Sequence, residues 1–149
     1  MPREDAHVPL TLEIFGCDSR SALPLPLAFQ ALSAGFPSAA LDFDERKIDL
    51  NRELIAHPAS TFFARVQGDS MRDAGIGDGD LLVIDKGLLP VHGKVAVCFI
   101  DGEFTLKRLH VEGGKTTLLP ANPAYPPIVI QPGQDFQVWG IVTYSIKAH

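Results

Sequence analysis

The sequence is short of the residues on which several protein classes depend. Its 149 residues contain two cysteines, Cys17 and Cys98, far apart and without a CxxC pair. That excludes a disulfide framework and suits free thiols in a reducing compartment, so a cytoplasmic location is expected. The five histidines, His7, His57, His92, His110 and His149, share no ligand spacing such as HExxH. No metal site is expected, and no cofactor is called for. Positive charge is also scarce: 13 Lys and Arg stand against 18 Asp and Glu, a net charge of -5. A chain of that sign is poorly suited to hold a phosphate backbone by itself, so direct sequence-specific DNA binding is not expected. The longest uncharged run, Ser21 to Leu41, carries Pro24, Pro26, Gly35 and Pro37, which would break a membrane-spanning helix. The acidic Glu4, Asp5, Glu13 and Asp18 precede it, where a secretory signal would begin with basic residues, so no membrane association is expected.

What is present reads as one compact core with an arm. A hydrophobic content of 46% over 149 residues is that of a globular domain. Near the start, Val8, Leu10, Leu12 and Ile14 alternate at strand period, followed by the proline-rich "LPLPL". Such an arm needs a surface to lie on. "IDLNRELIAHP" predicts one short helix, with Asp49 as N-cap, Leu50, Leu54 and Ile55 on one face, and Pro58 past its end. From Thr61 onward strand signals dominate: "TFFARVQ", "DLLVID", "GKVAVCFI", "EFTLKRLHV", "TTLLP", "PIVI" and "FQVWGIVTYSI". Seven short strands broken by Gly, Pro and Asp predict a mostly β, antiparallel fold. Asp101-Gly102, between two apolar runs, is the strongest hairpin signal in the chain.

Several chemistries can be set aside on their motifs. "GIGDGD" lacks the Lys-Ser/Thr of a phosphate loop and the downstream Glu of a calcium loop, and turn chemistry accounts for it. No GxSxG elbow supports a Ser-His-Asp triad. There remains Ser70, in "VQGDSM", together with a lysine. A neutral amine can take the proton of a serine hydroxyl where no histidine is placed to do so. The obstacle is protonation, since an unperturbed lysine is neutral only about one part in a thousand near pH 7.4. Lowering its pKa by roughly three units requires about 4 kcal/mol of selective destabilisation of the ammonium, which burial can supply. Lys107 has the surroundings that fit best, within a strand between Leu106 and Leu109. Alternation puts it on the face of Thr105 and Leu109, opposite Leu106 and Arg108. Asp69 would work against it unless its carboxylate points away. On spacing alone, Ser70 also reads as a turn residue and Lys107 as an ordinary surface lysine.

The longer pattern carries more. "FFARVQGDSMRDAGIGDGDLLVID", then "GKVAVCFIDGEFTLKRL" and "LLPANPAYPPIVI", resembles the UmuD branch of the LexA-type self-cleaving serine peptidases. The likeness runs from near "AGFPSAALDFDERKIDLNRELIAHP" to "WGIVTYSIKA", most of the chain. It implies a LexA/UmuD C-terminal-like fold of antiparallel strands, with an extended N-terminal arm and short helices. It implies that Ser70 is the nucleophile and Lys107 the general base of a serine endopeptidase. The bond it cuts would be Ala34-Gly35, dividing a cleavable arm, residues 1–34, from a peptidase domain, residues 35–149. The residue types suit that role: Ala34 needs only a small pocket, and Gly35 lets the backbone approach the serine. Backbone N–H groups of Asp69 and Ser70 are the candidates for an oxyanion hole, on the geometry of the "GDSM" turn.

The resemblance further implies a DNA-damage (SOS) response protein whose cleavage is stimulated by a RecA–single-stranded-DNA filament. The processed homodimer would then serve an error-prone, UmuC-like translesion DNA polymerase. Removing residues 1–34 takes away two basic and four acidic residues, moving the net charge from -5 to -3. Cleavage would therefore change a binding surface, with little change in charge. The alternative is a LexA-type self-cleaving transcriptional repressor. That would need a helix-turn-helix before the cut, and 34 residues with only Arg3 and Arg20 as basic groups do not supply one. A signal-peptidase-like membrane enzyme would need a spanning helix, and a catalytically silent module would not need Ser70 and Lys107.

Overall fold

The computed structural model describes residues 10–18, 24–28 and 43–149. Every strand expected from Thr61 onward forms, because each stretch alternates or is continuously apolar over a strand's length and ends at turn residues. The strands are β1 (Thr11–Gly16), β2 (Pro24–Ala28), β3 (Phe43–Asp49), β4 (Thr61–Gln67), β5 (Leu81–Asp85), β6 (Val95–Ile100), β7 (Glu103–Glu112), β8 (Lys115–Leu119), β9 (Ile128–Val129) and β10 (Phe136–Ile146). Eight of them make one antiparallel sheet in the order β1-β4-β5-β10-β6-β7-β8-β9, and β2 pairs with β3 separately. The mostly β class is as expected. None of the described helices is long and apolar enough to cross a membrane.

The chain divides into two compact units, one holding β1 and everything from Ala59 onward, the other running from Asp18 to Pro58. In the second unit, helix α1 (Leu50–Leu54) begins where the sequence places it. The Asp49 carboxylate accepts hydrogen bonds from the N–H groups of Asn51 and Arg52 at 3.0 and 3.4 Å, satisfying two donors the first turn leaves open. Pro58 opens a short 3-10 turn beyond it. Strand β3, "FDERKID", carries too little apolar alternation for sequence reasoning to detect it. The bond Ala34-Gly35 lies outside the described residues, as does Val8.

In the first unit the arm strand finds its surface on β4. β1 pairs antiparallel with β4, Leu12 opposite Val66 and Ile14 opposite Ala64. Leu10 is buried, and Leu12 and Ile14 pack on the same cluster as Val66, Met71, Leu82, Ile84, Val97 and Leu106. Residues an odd number of steps along the same strands, Ala96 and Cys98 on β6 and Leu109 on β7, join Leu118 and Ile141 in a second cluster on the other face. Full burial of a side chain such as Leu106 or Leu118 contributes about 1.5–3 kcal/mol relative to leaving it exposed. Both faces of β7 are therefore covered at its middle. Its hairpin with β6 turns at Asp101 and Gly102, whose φ angles of 48° and 86° are those of a two-residue turn with both positions left-handed.

Candidate active site

Ser70 sits in the turn that leaves β4, and the local chain explains why it is held there. Gly68, at φ 98°, reverses the backbone where a side chain would be strained, and its N–H donates to Asp78 Oδ1 at 3.1 Å. Met71 is fully buried in the first core cluster, so the residue after the serine anchors the turn by packing. The backbone N–H groups of Arg72 and Ala74 then close a 3-10 turn onto Asp69 O and Met71 O at 3.1 and 3.0 Å. Ser70 itself is 1% exposed.

Lys107 enters from β7. It is 6% exposed, and its Nζ stands 2.8 Å from Thr105 Oγ1, 3.1 Å from the carbonyl oxygen of Leu106 and 3.4 Å from Ser70 Oγ. The structure thus brings together the two residues singled out in the sequence across 37 positions of chain. Burial pushes the Lys107 pKa below its ordinary value of 10.5, opposed by a smaller charge interaction with Cys98. That opposition has little force, because burial pushes the Cys98 thiol up to about 12 and the thiol is neutral over the physiological range. Asp69, the residue whose carboxylate would work against a neutral amine, accepts a hydrogen bond on Oδ1 from the hydroxyl of Tyr125 at 2.8 Å.

A second segment clamps this turn from outside. Within "ANPAY", Ala121 N–H donates to Ser70 O at 2.9 Å, and Asn122 Nδ2 donates to Asp69 O at 2.9 Å. Asn122 is buried and its own Oδ1 accepts from Ala124 N–H at 3.0 Å, so the clamp is itself held in shape. Among the described residues every buried side-chain nitrogen and oxygen has a hydrogen-bond partner. A cavity of about 260 Å³ opens beside Ser70 and Lys107, walled largely by apolar side chains including Leu10, Ile100, Phe104 and Ile128. No group of three or more His, Cys, Asp or Glu among the described residues is placed to hold a metal ion.

Four contributors lie beyond what sequence reasoning reached. Thr105 was seen to share the face of Lys107, yet its role as acceptor for the amine was not drawn, although two residues along one strand is a legible spacing. Asn122 and Tyr125 lie 53 and 56 positions from Asp69, and nothing local announces contacts at that range. Leu10 reaches the cavity only because β1 pairs with β4.

Comparison with known proteins gives the chain its relatives. The chain is 45% identical over 121 residues to Protein SamA of Salmonella typhimurium, covering 81% of this chain and 84% of that protein. It is 37% identical over 142 residues to Protein MucA of Escherichia coli, covering 94% and 97%. Against the LexA repressor of Bordetella avium it is 36% identical over 131 residues, which is 88% of this chain and 61% of the repressor. The family model described as peptidase S24-like matches residues 26–143, from β2 into β10, and the chain belongs to that family.

Proposed function

We propose that this protein is a serine endopeptidase acting on its own chain, with Ser70 as nucleophile and Lys107 as general base. The observation that carries the reading is a buried amine 3.4 Å from a buried serine hydroxyl, in a site whose burial disfavours the ammonium. A neutral amine has two N–H groups and one lone pair. Thr105 Oγ1 and Leu106 O are placed to accept the two N–H groups, which turns the lone pair toward the Ser70 hydroxyl. Ser70 then attacks a carbonyl carbon as Lys107 takes its proton. The resulting ammonium delivers that proton to the leaving amide nitrogen, and the amine next activates the water that releases the acyl group.

The bond is Ala34-Gly35, small on both sides and within an uncharged, proline-flanked run that suits an apolar cavity. The oxyanion hole is formed by the backbone N–H groups of Asp69 and Ser70. Asn122 supports that assignment: it holds the carbonyl of Asp69, and in a trans peptide the N–H of Ser70 points the opposite way.

Processing makes residues 35–149 the working form, a homodimer that assists an error-prone translesion DNA polymerase in the SOS response to DNA damage. A RecA–single-stranded-DNA filament stimulates the cut. What supports this reading is the near end-to-end similarity to MucA, together with the motifs that resemble the UmuD branch. The LexA-type repressor is the weaker reading, because the similarity covers only part of the repressor. The test is reconstitution: adding RecA, ATP and single-stranded DNA should accelerate conversion to the 35–149 form. An unchanged rate would remove the SOS assignment, and operator binding by the full chain would favour the repressor.

A further inference from the structure

Asp69 poses a problem that the proposed mechanism leaves open. Asp69 precedes the nucleophile in the chain, and a carboxylate brought within about 4–6 Å of an amine that must lose its proton would favour the charged form of that lysine. A side chain from a distant segment engages that carboxylate. Tyr125 lines the cavity that holds Ser70 and Lys107, and its hydroxyl donates to Asp69 Oδ1 at 2.8 Å. The segment carrying Tyr125 is in turn fixed to the nucleophile turn by Ala121 N–H on Ser70 O and by Asn122 Nδ2 on Asp69 O.

We propose that Tyr125 is a positioning residue for the Ser70/Lys107 pair: it holds the Asp69 carboxylate turned from the amine, so that Asp69 steadies the turn without keeping Lys107 charged. The inference rests on the base role assigned to Lys107 above. The groups around the amine are Cys98 from β6, Thr105 from its own strand and Ser70 from the turn, with Glu103 and Tyr125 among the residues lining the same cavity. Cys98 is neutral, as shown above, and Glu103 is exposed to water. Asp69, adjacent to Ser70, is the remaining carboxylate beside the nucleophile, and the Tyr125 hydrogen bond fixes where its Oδ1 lies. The Tyr125 hydroxyl is also raised above its ordinary value of 10.0, by loss of surrounding water and by the hydrogen bond and charge of Asp69, so it holds its proton more tightly than a free tyrosine.

The test compares the parent, Tyr125→Phe, Asp69→Asn and the double variant by two readouts. One is the titration midpoint of the Lys107 side chain, followed by carbon-13 NMR in an uncut Ser70→Ala background. The other is the pH–rate profile of cleavage with Ser70 intact. Tyr125→Phe should raise the midpoint by about one pH unit and slow cutting about tenfold below it, with the alkaline plateau kept. Adding Asp69→Asn should return the midpoint to the parent value, and Asp69→Asn alone should leave it there. A Tyr125→Phe midpoint that does not move, with cutting slowed equally at every pH, overturns the proposal and leaves Tyr125 a packing residue. A lower midpoint in Asp69→Asn alone also overturns it, since the carboxylate would then act on the amine in the parent. If the midpoints shift as expected but no chain cuts at Ala34-Gly35, the clasp stands and the proposed function fails.

Discussion

Lys107 Nζ lies 3.4 Å from Ser70 Oγ, with the amine and the hydroxyl each buried, one delivered by strand β7 and the other by the turn after β4. The contact requires a residue that can exist as a neutral amine at that point. Lys107→Ala should slow self-cleavage by about 100- to 10,000-fold, the usual contribution of a general base. Lys107→Arg should be no better, because a guanidinium stays charged throughout the accessible pH range. Timed gel analysis of the purified variants measures both.

The lowered Lys107 pKa sets the pH dependence of rate. Cutting should rise by up to about tenfold per pH unit while the amine is mostly protonated, and level off at its folded pKa, below 10.5.

The same shift affects stability, with a definite sign. Between the folded pKa and 10.5 the unfolded chain binds more protons than the folded one, so stability rises with pH in that window. The stabilisation is present above the unfolded value and lost as pH falls through the folded one. Denaturation of parent and Lys107→Met at several pH values should show the difference moving in favour of the parent as pH rises.

Thr105 accepts an N–H of the amine at 2.8 Å, the shortest of the three contacts that Lys107 makes. Thr105→Val keeps the shape and removes the acceptor. Cutting should slow by about two- to tenfold, the rate equivalent of one ordinary hydrogen bond. Thr105→Ser should recover most of the loss in the same assay.

Gly140 lies where β10 shifts register against β6, and a Cβ there would fall 2.5 Å from Ile84 Cγ2. Ile84 is fully buried, so it has no room to retreat. Gly140→Ala should destabilise the fold by about 1–3 kcal/mol, the range for overpacking a core. Urea denaturation would read this as a lower midpoint with an unchanged slope.

Much of the molecule was legible in advance, for physical reasons that differ from part to part. Strands β4 to β10 could be read because burial imposes either alternation or, as in β5 and β6, a short continuous apolar run bounded by turn residues, and the Asp101-Gly102 hairpin because only certain residues accept two left-handed positions. Lys107 could be placed on the face of Thr105 by the same period. The partner of β1 could not be read: alternation at Leu10, Leu12 and Ile14 shows that a strand seeks a surface without showing which edge it finds. β3 escaped because "FDERKID" lacks alternation. The clamp by Asn122 and Tyr125 escaped because its contacts span more than fifty positions. The hydrogen bond that holds the Asp69 carboxylate belongs to that clamp.

The central claim is that this chain cuts itself with Ser70. Intact-mass measurement of purified protein held at alkaline pH tests it most directly, with Ser70→Ala treated in parallel. The account predicts a fragment beginning at Gly35 that accumulates in the parent and is absent from the variant. A parent that stays whole, a cut at another bond, or a Ser70→Ala chain that yields the same fragment would contradict it.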